Sequence, residues 1–320
     1  MLIAQNGQGD LVNLLEGIPK KQEFFCPACH QSVRLKNSKV MRPHFAHVNL
    51  GSCEFFQETE SNEHLTLKAE LFASLSKNTV VEVEKILSDL GQIADIFVGE
   101  KLALEVQCSR LPESRLRERT NSYHQAGYQV LWLLGEKLWL GKRISHLQKQ
   151  FLYFSQNMGF HYWELDLKKR HIRLKYLIYE DLEGNLSYLE KSCSLEQDVL
   201  EFLRSPYKRQ DLPHYEKQQN QQILSVIQRG LMARNPRWLS RQAEIYARGG
   251  NLLAQSTNDF FPQIRPIDSK EGFCQIRSDL SQFISAFFQY YQKQKERDCQ
   301  ILYPPAFYDN ACKKQDKVIQ

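Results

Sequence analysis

The chain has 320 residues, of which 42% are hydrophobic and 25% are charged. These proportions are ordinary for a soluble globular protein, and the length allows two or three domains with a full hydrophobic core. The net charge of +5 permits a nucleic-acid partner but does not require one.

Three features indicate the compartment. Residues 1–16 include Gln5, Asn6, Gln8 and Asp10, so they lack the apolar core of a signal peptide. No apolar run approaches the length of about 18 residues that spans a membrane. Eight cysteines, two of them in a Cys-x-x-Cys motif, favour metal binding in a reducing compartment over a disulfide framework. The sequence therefore predicts a cytoplasmic protein with no membrane span.

The first motif along the chain is a pair of cysteines followed by a pair of histidines. Two residues separate Cys26 from Cys29, fourteen residues separate Cys29 from His44, and His47 follows after two more. Zinc takes four such ligands in a tetrahedron, and two close pairs joined by a short loop supply that geometry. These residues predict a structural Zn²⁺ site, because four protein ligands leave no open position for water.

Other interpretations of this motif stay open. The His-x-x-His spacing is tighter than that of common zinc fingers, so His30, Cys53 or His64 could replace one of the four ligands. The interpretation without metal is a reduced cysteine pair in a small β module with two surface histidines. A redox role is disfavoured, because no βαβ pattern surrounds the cysteines.

The stretch 92–107 carries the strongest chemical signal. Two apolar, β-branched runs flank a Gly-Glu-Lys turn, which predicts a β-hairpin. Each run holds one acid, Asp95 or Glu105, and a buried carboxylate is costly unless a cation pairs with it. If the loop is 99–101, the two acids are directly opposed with Cβ atoms roughly 5 Å apart, close enough to share one divalent cation. Gln107 lies on the same face as Glu105, because strand side chains alternate.

The metal site of the hairpin depends on this register. A two-residue loop would place Asp95 and Glu105 on opposite faces. The two acids could also belong to an edge strand whose polar face meets solvent, which is common in antiparallel sheets.

The hairpin lies within a longer alternation of helices and strands. Apolar periodicity predicts a helix over 60–76, a strand over 80–84, a helix over 112–126 with proline in its first turn, and a buried strand over 128–134. The predicted order is αβββαβ, which makes the fold α/β. With the two hairpin acids, this order resembles the PD-(D/E)XK restriction-endonuclease-like core.

The resemblance to PD-(D/E)XK nucleases implies a catalytic Mg²⁺ or Mn²⁺. In that fold the two acids and the last motif residue surround the metal, and the first helix often adds a glutamate. The resemblance thus implies Asp95 and Glu105 as magnesium ligands, with Glu60 and Gln107 as further catalytic residues. Gln107 stands where the motif has lysine, so it offers a hydrogen-bond donor and acceptor in place of a positive charge.

A narrower resemblance comes from the order of all the motifs. They are Cys-Pro-Ala-Cys at 26–29, His-Phe-Ala-His at 44–47, Glu-Ser-Asn-Glu-His at 60–64 with Lys68, Ala-Asp-Ile and Leu-Glu-Val-Gln in the hairpin, and Arg119-x-x-x-Tyr123. In this order they are similar to the CoiA competence protein family. The resemblance implies natural transformation, in which incoming single-stranded DNA is recombined into the chromosome. It implies single-stranded or branched DNA as partner, together with recombination proteins.

The predicted helix before the hairpin has a polar stripe. Glu60, His64 and Lys68 are spaced by four residues, so they share one helix face. If this face meets the hairpin, Glu60 can bind metal, and His64 or Lys68 can contact a DNA phosphate. The alternative is a solvated face with an ordinary pair between Glu60 and His64.

The predicted helix after the hairpin has a second stripe, formed by Arg115, Arg119 and Tyr123. Guanidinium groups bind phosphates bidentately, so this stripe predicts contacts with DNA. Glu113 and Glu118 indicate the alternative, a salt-bridged surface helix. Arg119 and Tyr123 are the two that match the family pattern.

The rest of the chain is less informative. Alternation over 160–179 predicts a hairpin with a basic tip at 168–171, and the pattern from 186 to about 295 is mostly helical. The predicted domains are an N-terminal zinc-finger-like module (1–56), a nuclease-like domain (57–150) and a C-terminal region with a hairpin followed mostly by helices (151–320).

Two functions compete at this point. The first is a metal-dependent deoxyribonuclease, an endo- or exonuclease that hydrolyses a recombination intermediate. The second is a nuclease-fold DNA-binding factor without turnover that promotes recombination of single-stranded DNA. Gln107 in place of lysine weakens the first without removing it. A zinc-containing scaffold for protein interactions, a third possibility, predicts no affinity for DNA.

Overall fold

The computed structural model describes residues 1–49, 53, 60–208 and 211–316. The chain divides into two compact units. Unit 1 comprises Met1–Leu140, Tyr162–Leu174 and Glu190–Ser205, and unit 2 comprises Gly141–His161, Lys175–Leu189 and Pro206–Gln320. The predicted domain boundaries at 56 and 150 stay a prediction.

The described residues form both strands and helices. The strands are β1 (Ile3–Asn6), β2 (Leu11–Asn13), β3 (Phe24–Phe25), β4 (Ser32–Lys36), β5 (His44–His47), β6 (Val81–Leu87), β7 (Gln92–Val98), β8 (Leu102–Gln107), β9 (Gln129–Leu134), β10 (Tyr153–Ser155), β11 (Gly159–Asp166), β12 (His171–Asp181), β13 (Leu186–Ser194), β14 (Tyr215–Gln218), β15 (Ile264–Pro266) and β16 (Cys299–Leu302). The helices are α1 (Asn62–Leu75), α2 (Glu113–Gln125), α3 (His146–Lys149), α4 (Val199–Leu203), α5 (Ile223–Met232), α6 (Pro236–Tyr246), α7 (Ser281–Gln292) and α8 (Pro305–Asp316). No helix in the described residues is long and apolar enough to cross a membrane.

Unit 1 begins with a small antiparallel sheet in the order β2-β1-β3-β4-β5. Ala4, Phe24, Val33 and Phe45 form its buried side. The rings of Phe24 and Phe45 pack with centroids 4.8 Å apart. This sheet is too small to bury a large core by itself.

Helix α1 follows and packs against the second sheet. Ser61 caps its N-terminus by accepting a hydrogen bond from the backbone N–H of His64 at 3.1 Å. Leu65, Leu71 and Leu75 are buried and anchor the apolar face. The helix thereby presents its opposite, polar stripe at a fixed position beside the hairpin.

The second sheet of unit 1 confirms the predicted order of elements and the α/β class. Strands β6, β7 and β8 pair in antiparallel fashion. Helix α2 then crosses over, and β9 pairs parallel to β8, as a helical crossover requires. Gly127 follows the C-terminal end of α2 with φ of +80°. This left-handed conformation is common after a helix, and glycine adopts it at low cost.

The β7–β8 hairpin has the predicted three-residue loop. Val98 pairs with Leu102, and Ile96 pairs with Leu104. Extended by one position, this register sets Asp95 opposite Glu105. Gly99 lies in the loop with φ of +59°.

Later strands extend this sheet. Within unit 1 the order is β13-β12-β11-β9-β8-β7-β6, where β11, β12 and β13 contribute their residues in Tyr162–Leu174 and Glu190–Ser205. Glu164 of β11 pairs in parallel with Leu134 of β9. The hairpin predicted over 160–179 is confirmed by β11 and β12.

The helical pattern predicted from residue 186 is wrong at its start, because Leu186–Ser194 is strand β13. The reason is a turn that the pattern did not indicate. The Asp181 carboxylate accepts hydrogen bonds from the backbone N–H groups of Glu183 and Asn185, both at 2.8 Å, and Gly184 has φ of +90°. The turn reverses the chain into another strand.

Unit 2 combines short strands with helices. Strand β10 pairs with β11, β15 pairs with β12, and β14 pairs with β16, all antiparallel. Helices α5 and α6 pack around Ile227 and Trp238. Aromatic residues of α7 and α8 pack edge to face, with the Phe287 and Tyr308 ring centroids 5.3 Å apart, which supports a packing role for the aromatic side chains of α7.

Candidate metal and nucleic-acid site

Unit 1 contains a cavity of about 420 Å³. Its wall includes Cys26 and His47 from the N-terminal sheet, His64 from α1, Asp95 from the hairpin and Arg115 from α2. The chemistry-bearing motifs of the sequence thus converge on one space, although they come from four separate segments.

Three acidic and imidazole side chains meet in this cavity. Ligand atoms of Glu60, His64 and Asp95 all lie within 4.8 Å of one another. The imidazole of His64 bridges the two carboxylates, with Nδ1 3.3 Å from Glu60 Oε1 and Nε2 3.1 Å from Asp95 Oδ2. Glu60 lies two residues before the first residue of α1, yet it keeps the predicted contact with His64. This group could hold a metal ion.

The three groups shift one another's pKa values. Burial lowers the pKa of His64, but Asp95 and Glu60 outweigh this effect and raise it to about 9. Burial raises the pKa of Asp95, and the cations His64 and Lys68 outweigh that effect and hold it well below its usual range. Without a metal, the imidazole is therefore protonated at neutral pH and compensates part of the carboxylate charge.

Lys68 compensates the remaining carboxylate charge. Its side chain is only 1% exposed, and its ammonium contacts Glu60, Glu84 at 2.6 Å and Asp95 at 3.5 Å. The α-amino group of Met1 also contacts Glu60. A phosphate contact by Lys68 stays a prediction, and the burial of its ammonium argues against that contact.

Glu84 is a site residue that the sequence analysis missed. Its carboxylate bonds Lys68 through one oxygen and accepts the backbone N–H groups of Leu2 and Ile3 at 2.7 and 3.1 Å through the other. The alternation of Val-Glu-Val-Glu indicates a solvated strand face. Glu84 instead adopts φ of +51°, which interrupts the ladder with β7 at this point. No sequence signal shows this local distortion.

Glu105 has partners of its own. It accepts hydrogen bonds from Arg119 Nη2 at 2.8 Å and from the hydroxyl of Tyr123. It is 2% exposed and is absent from the described residues that line the cavity. Burial raises the pKa of Glu105 to about 7, with Arg119 opposing the rise and Asp95 adding to it. Although Asp95 and Glu105 are opposed in register, the structure does not bring the Glu105 carboxylate into the Glu60–His64–Asp95 group.

Gln107 lines the cavity but is engaged locally. Its amide Nε2 donates to the backbone oxygen of Ser109 at 2.9 Å. The positions Asp95, Glu105 and Gln107 therefore lie together on the hairpin, while their side chains serve three different sets of partners.

The predicted arginine stripe of α2 also reaches this region. Arg115 and Arg119 both line the cavity. The Arg119 guanidinium lies 5.2 Å from the Trp132 ring, which holds it beside Glu105. Tyr123 is fully buried and supports Glu105, so its DNA contact stays a prediction.

A second ligand cluster lies in the N-terminal sheet. Ligand atoms of Cys26, Cys29, His47 and Cys53 lie within 4.8 Å of one another, with Cys29 Sγ 3.4 Å from His47 Nε2. The two cysteines of the motif lie in the turn between β3 and β4, where His30 adopts φ of +57° and donates its N–H to Cys26 O at 2.9 Å. Three sulfurs and one imidazole are a donor set that suits zinc.

The observed cluster corrects the predicted ligand set at one position. His44 and His47 begin and end strand β5, and residues three apart on a strand face opposite sides. His47 joins the cysteines, while His44 Nδ1 lies 2.9 Å from the backbone oxygen of Arg42. Cys53, one of the alternatives, takes the fourth place. The alternative His64 belongs to the Asp95 group.

Burial matters for the chemistry of this cluster. It raises the pKa of the Cys26 thiol to about 12, so the metal-free cysteine stays protonated at neutral pH. Burial and the α-amino group lower the pKa of His47, which favours the neutral imidazole that a metal binds. A bound cation would stabilise the buried thiolate and release its proton.

Two family models match the chain. The family model "Competence protein CoiA, N-terminal domain" matches residues 12–56, which hold the cysteine cluster. The model "Competence protein CoiA, nuclease-like domain" matches residues 60–198, which hold the Glu60–His64–Asp95 group.

A curated relative agrees with the family models. Competence protein CoiA of Bacillus subtilis (strain 168) is 29% identical over 147 residues, which is 45% of this chain and 37% of that protein. The match thus spans little more than a third of the relative's length. No solved structure matches the chain significantly. On the order of its motifs and on these matches, the chain belongs to the CoiA competence protein family.

Proposed function

We propose that this chain is a divalent-metal-dependent deoxyribonuclease that processes a single-stranded or branched DNA intermediate of recombination during natural transformation. The observation that carries the proposal is the convergence of Glu60, His64 and Asp95 in a cavity of a nuclease-like domain. The order αβββαβ, with acids on the central hairpin, supports a PD-(D/E)XK-type core.

The donors of this group fit a catalytic cation. Carboxylates are the ligands of Mg²⁺ and Mn²⁺, and an imidazole among them favours Mn²⁺. When bound, such a cation polarises the scissile phosphate and lowers the pKa of an attacking water. Glu60, His64 and Asp95 would hold it, and the proton of His64 would leave as it binds.

The surrounding residues have separate roles in the proposal. Arg115 and Arg119 attract the DNA phosphate towards the carboxylates. Glu105 acts as a positioning residue, because it fixes Arg119 through the 2.8 Å contact. Gln107 lines the cavity, where its amide oxygen accepts a hydrogen bond from a water while its Nε2 stays bonded to Ser109. Lys68 keeps the carboxylates ionised from a buried position.

One observation favours a second candidate, a DNA-binding factor without turnover. The buried Lys68 and the protonated His64 already compensate the carboxylate charge, and Gln107 supplies no cation. A site balanced in this way could bind DNA phosphates through Arg115 and Arg119 and promote recombination without hydrolysis.

The remaining parts of the proposal concern zinc and location. We propose that the Cys26, Cys29, His47 and Cys53 cluster holds one structural Zn²⁺. Recombination proteins are proposed partners. A cytoplasmic location rests on the use of cysteines for metal binding instead of disulfides.

The test is incubation of the purified full chain with single-stranded, duplex and branched DNA. Each substrate is tested with Mg²⁺, with Mn²⁺ and with a chelator. The nuclease proposal predicts cleavage of at least one substrate with metal and none with chelator. Binding without cleavage under every condition would favour the second candidate.

A further inference from the structure

Unit 2 holds an arginine cluster at the start of α6. Arg237 and Arg241 are four residues apart, so they share one helix face. Asn235 caps this helix by accepting the N–H of Arg237 at 3.0 Å, and Pro236 takes the first helical position. The cap and the proline fix where the helix begins.

The strand pair β12–β15 brings a third arginine to this face. Arg237 Nη1 bonds Glu180 Oε1 at 2.6 Å, and Glu180 is the cross-strand partner of Arg265. Cross-strand partners lie on the same face of a sheet. Arg265 is held by the backbone oxygens of Pro262 and Phe260, at 2.8 and 3.3 Å.

Arg241 differs from the other two because, among the residues that the structure describes, its guanidinium lies against aromatic rings. Its guanidinium carbon lies 5.9 Å from the Trp238 ring and 5.8 Å from the Phe260 ring. Within the part of the chain that the structure describes, no carboxylate lies within ion-pair distance of Arg241. Its nearest acid in sequence, Glu244, acts on it only at longer range.

The three guanidiniums act on one another. Burial, together with Arg241 and Arg237, lowers the pKa of Arg265 to about 10. Burial and Arg237 also lower the pKa of Arg241. Like charges held together in a partly desolvated place are unfavourable, and Glu180 compensates only Arg237. An anion that enters the cluster would remove this repulsion.

We propose that Arg237, Arg241 and Arg265 form a phosphate-binding site in unit 2 that takes the phosphodiester backbone of DNA. Guanidinium groups match phosphate oxygens bidentately, and rings that hold Arg241 leave its donors available. The choice of DNA as the source of the phosphate rests on the proposed function. The site is separate from the carboxylate group of unit 1 and would give the protein a second point of contact with its substrate.

The experiment measures binding of a labelled single-stranded oligonucleotide to the full chain over a range of salt concentrations. Chelator is present and Asp95→Asn is the background, so that no cleavage interferes. Arg241→Gln should weaken binding about 5-fold near physiological salt and lower the log–log salt slope by about 1. Arg241→Lys keeps the charge and should retain the slope. Arg229→Gln, which removes an exposed arginine from α5, is the matched control and should change little.

Arg241→Gln leaves no carboxylate unpaired, so it should fold, and its thermal transition verifies this. Inorganic phosphate, tested alone, should raise the melting temperature of the wild type more than that of Arg241→Gln. If phosphate shows this difference and DNA affinity does not, the site takes small phosphates and the DNA proposal is overturned. If neither differs, the site itself is overturned. The nuclease proposal is tested separately by cleavage, so its failure leaves this result unaffected.

Discussion

The imidazole of His64 lies with Nε2 3.1 Å from Asp95 Oδ2. The contact joins the first helix of unit 1 to the central hairpin and fixes the charge of the candidate site. Since Asp95 and Glu60 raise the pKa of His64 to about 9 against the effect of burial, the imidazole carries a proton that a metal ion must displace.

This pair predicts how stability depends on pH without metal. The pKa of His64 in the folded chain, about 9, is above the ordinary value of 6.5. The stabilisation that protonated His64 gains from Asp95 and Glu60 is therefore complete below about pH 6.5 and is lost as pH rises through about 9. Between these limits, wild type should lose on the order of 2 kcal/mol more than His64→Gln. Chemical denaturation of both proteins in chelator checks this, and parallel pH profiles would contradict it.

The cysteine cluster predicts which histidine binds zinc. Purified protein should carry about one zinc per chain, and Cys26→Ser, Cys53→Ser or His47→Ala should lower that content. His44→Ala is the matched control and should retain zinc, because His44 lies three residues away along a strand. The zinc content of the freshly purified variants, measured by metal analysis, shows which histidine is the ligand. Loss of zinc in His44→Ala with retention in His47→Ala would restore the ligand set first predicted.

The hairpin acids should differ in their effect on metal binding. The motif pairs Asp95 with Glu105, whereas the contacts pair Asp95 with Glu60 and His64. Asp95→Asn should weaken Mn²⁺ affinity by about 10-fold or more, and Glu105→Gln by much less. Titration calorimetry with Mn²⁺ measures both. Equal loss in the two variants would show that the hairpin acids bind metal together, as the motif implies.

The contacts of Lys68 predict that the free energy of unfolding is coupled to metal binding. Replacing it by Met removes the cation shared by Glu60, Glu84 and Asp95, which should lower the free energy of unfolding by about 3 kcal/mol in chelator. Mn²⁺ should stabilise Lys68→Met more than wild type, since the metal replaces the lost charge. Lys85→Met, on the same strand as Glu84 but partly exposed, is the control. An equal effect of Mn²⁺ on Lys68→Met and wild type would argue against a metal in this group.

Local patterns predicted much of unit 1. The three-residue loop and the crossover helix follow from residues that are close in sequence, so the αβββαβ order and the register of the β7–β8 hairpin are confirmed. His44 was misassigned because the His-x-x-His spacing was judged without its strand, which directs His44 and His47 to opposite faces. Strand β13 was missed because its preceding turn depends on the Asp181 side chain.

The partners of the site could not be predicted in this way. Glu84 joins the group through a positive φ that no residue pattern encodes. Glu105 accepts hydrogen bonds from Arg119 and Tyr123, which follow it by 14 and 18 residues in the chain, so the hairpin pattern alone does not indicate them. The arginine cluster of unit 2 combines arginines from α6 and β15 beside Glu180 of β12, and only the folded chain brings them together.

The most direct test of the central claim is the rate of DNA cleavage in single-turnover conditions with Mn²⁺. It compares wild type with Asp95→Asn, and with Arg229→Gln as a control outside unit 1. The account predicts metal-dependent cleavage by wild type and the control, and a loss of about 100-fold or more in Asp95→Asn, because that carboxylate holds the group together. Cleavage by Asp95→Asn at the wild-type rate, or no cleavage by wild type on any DNA substrate, would contradict the account.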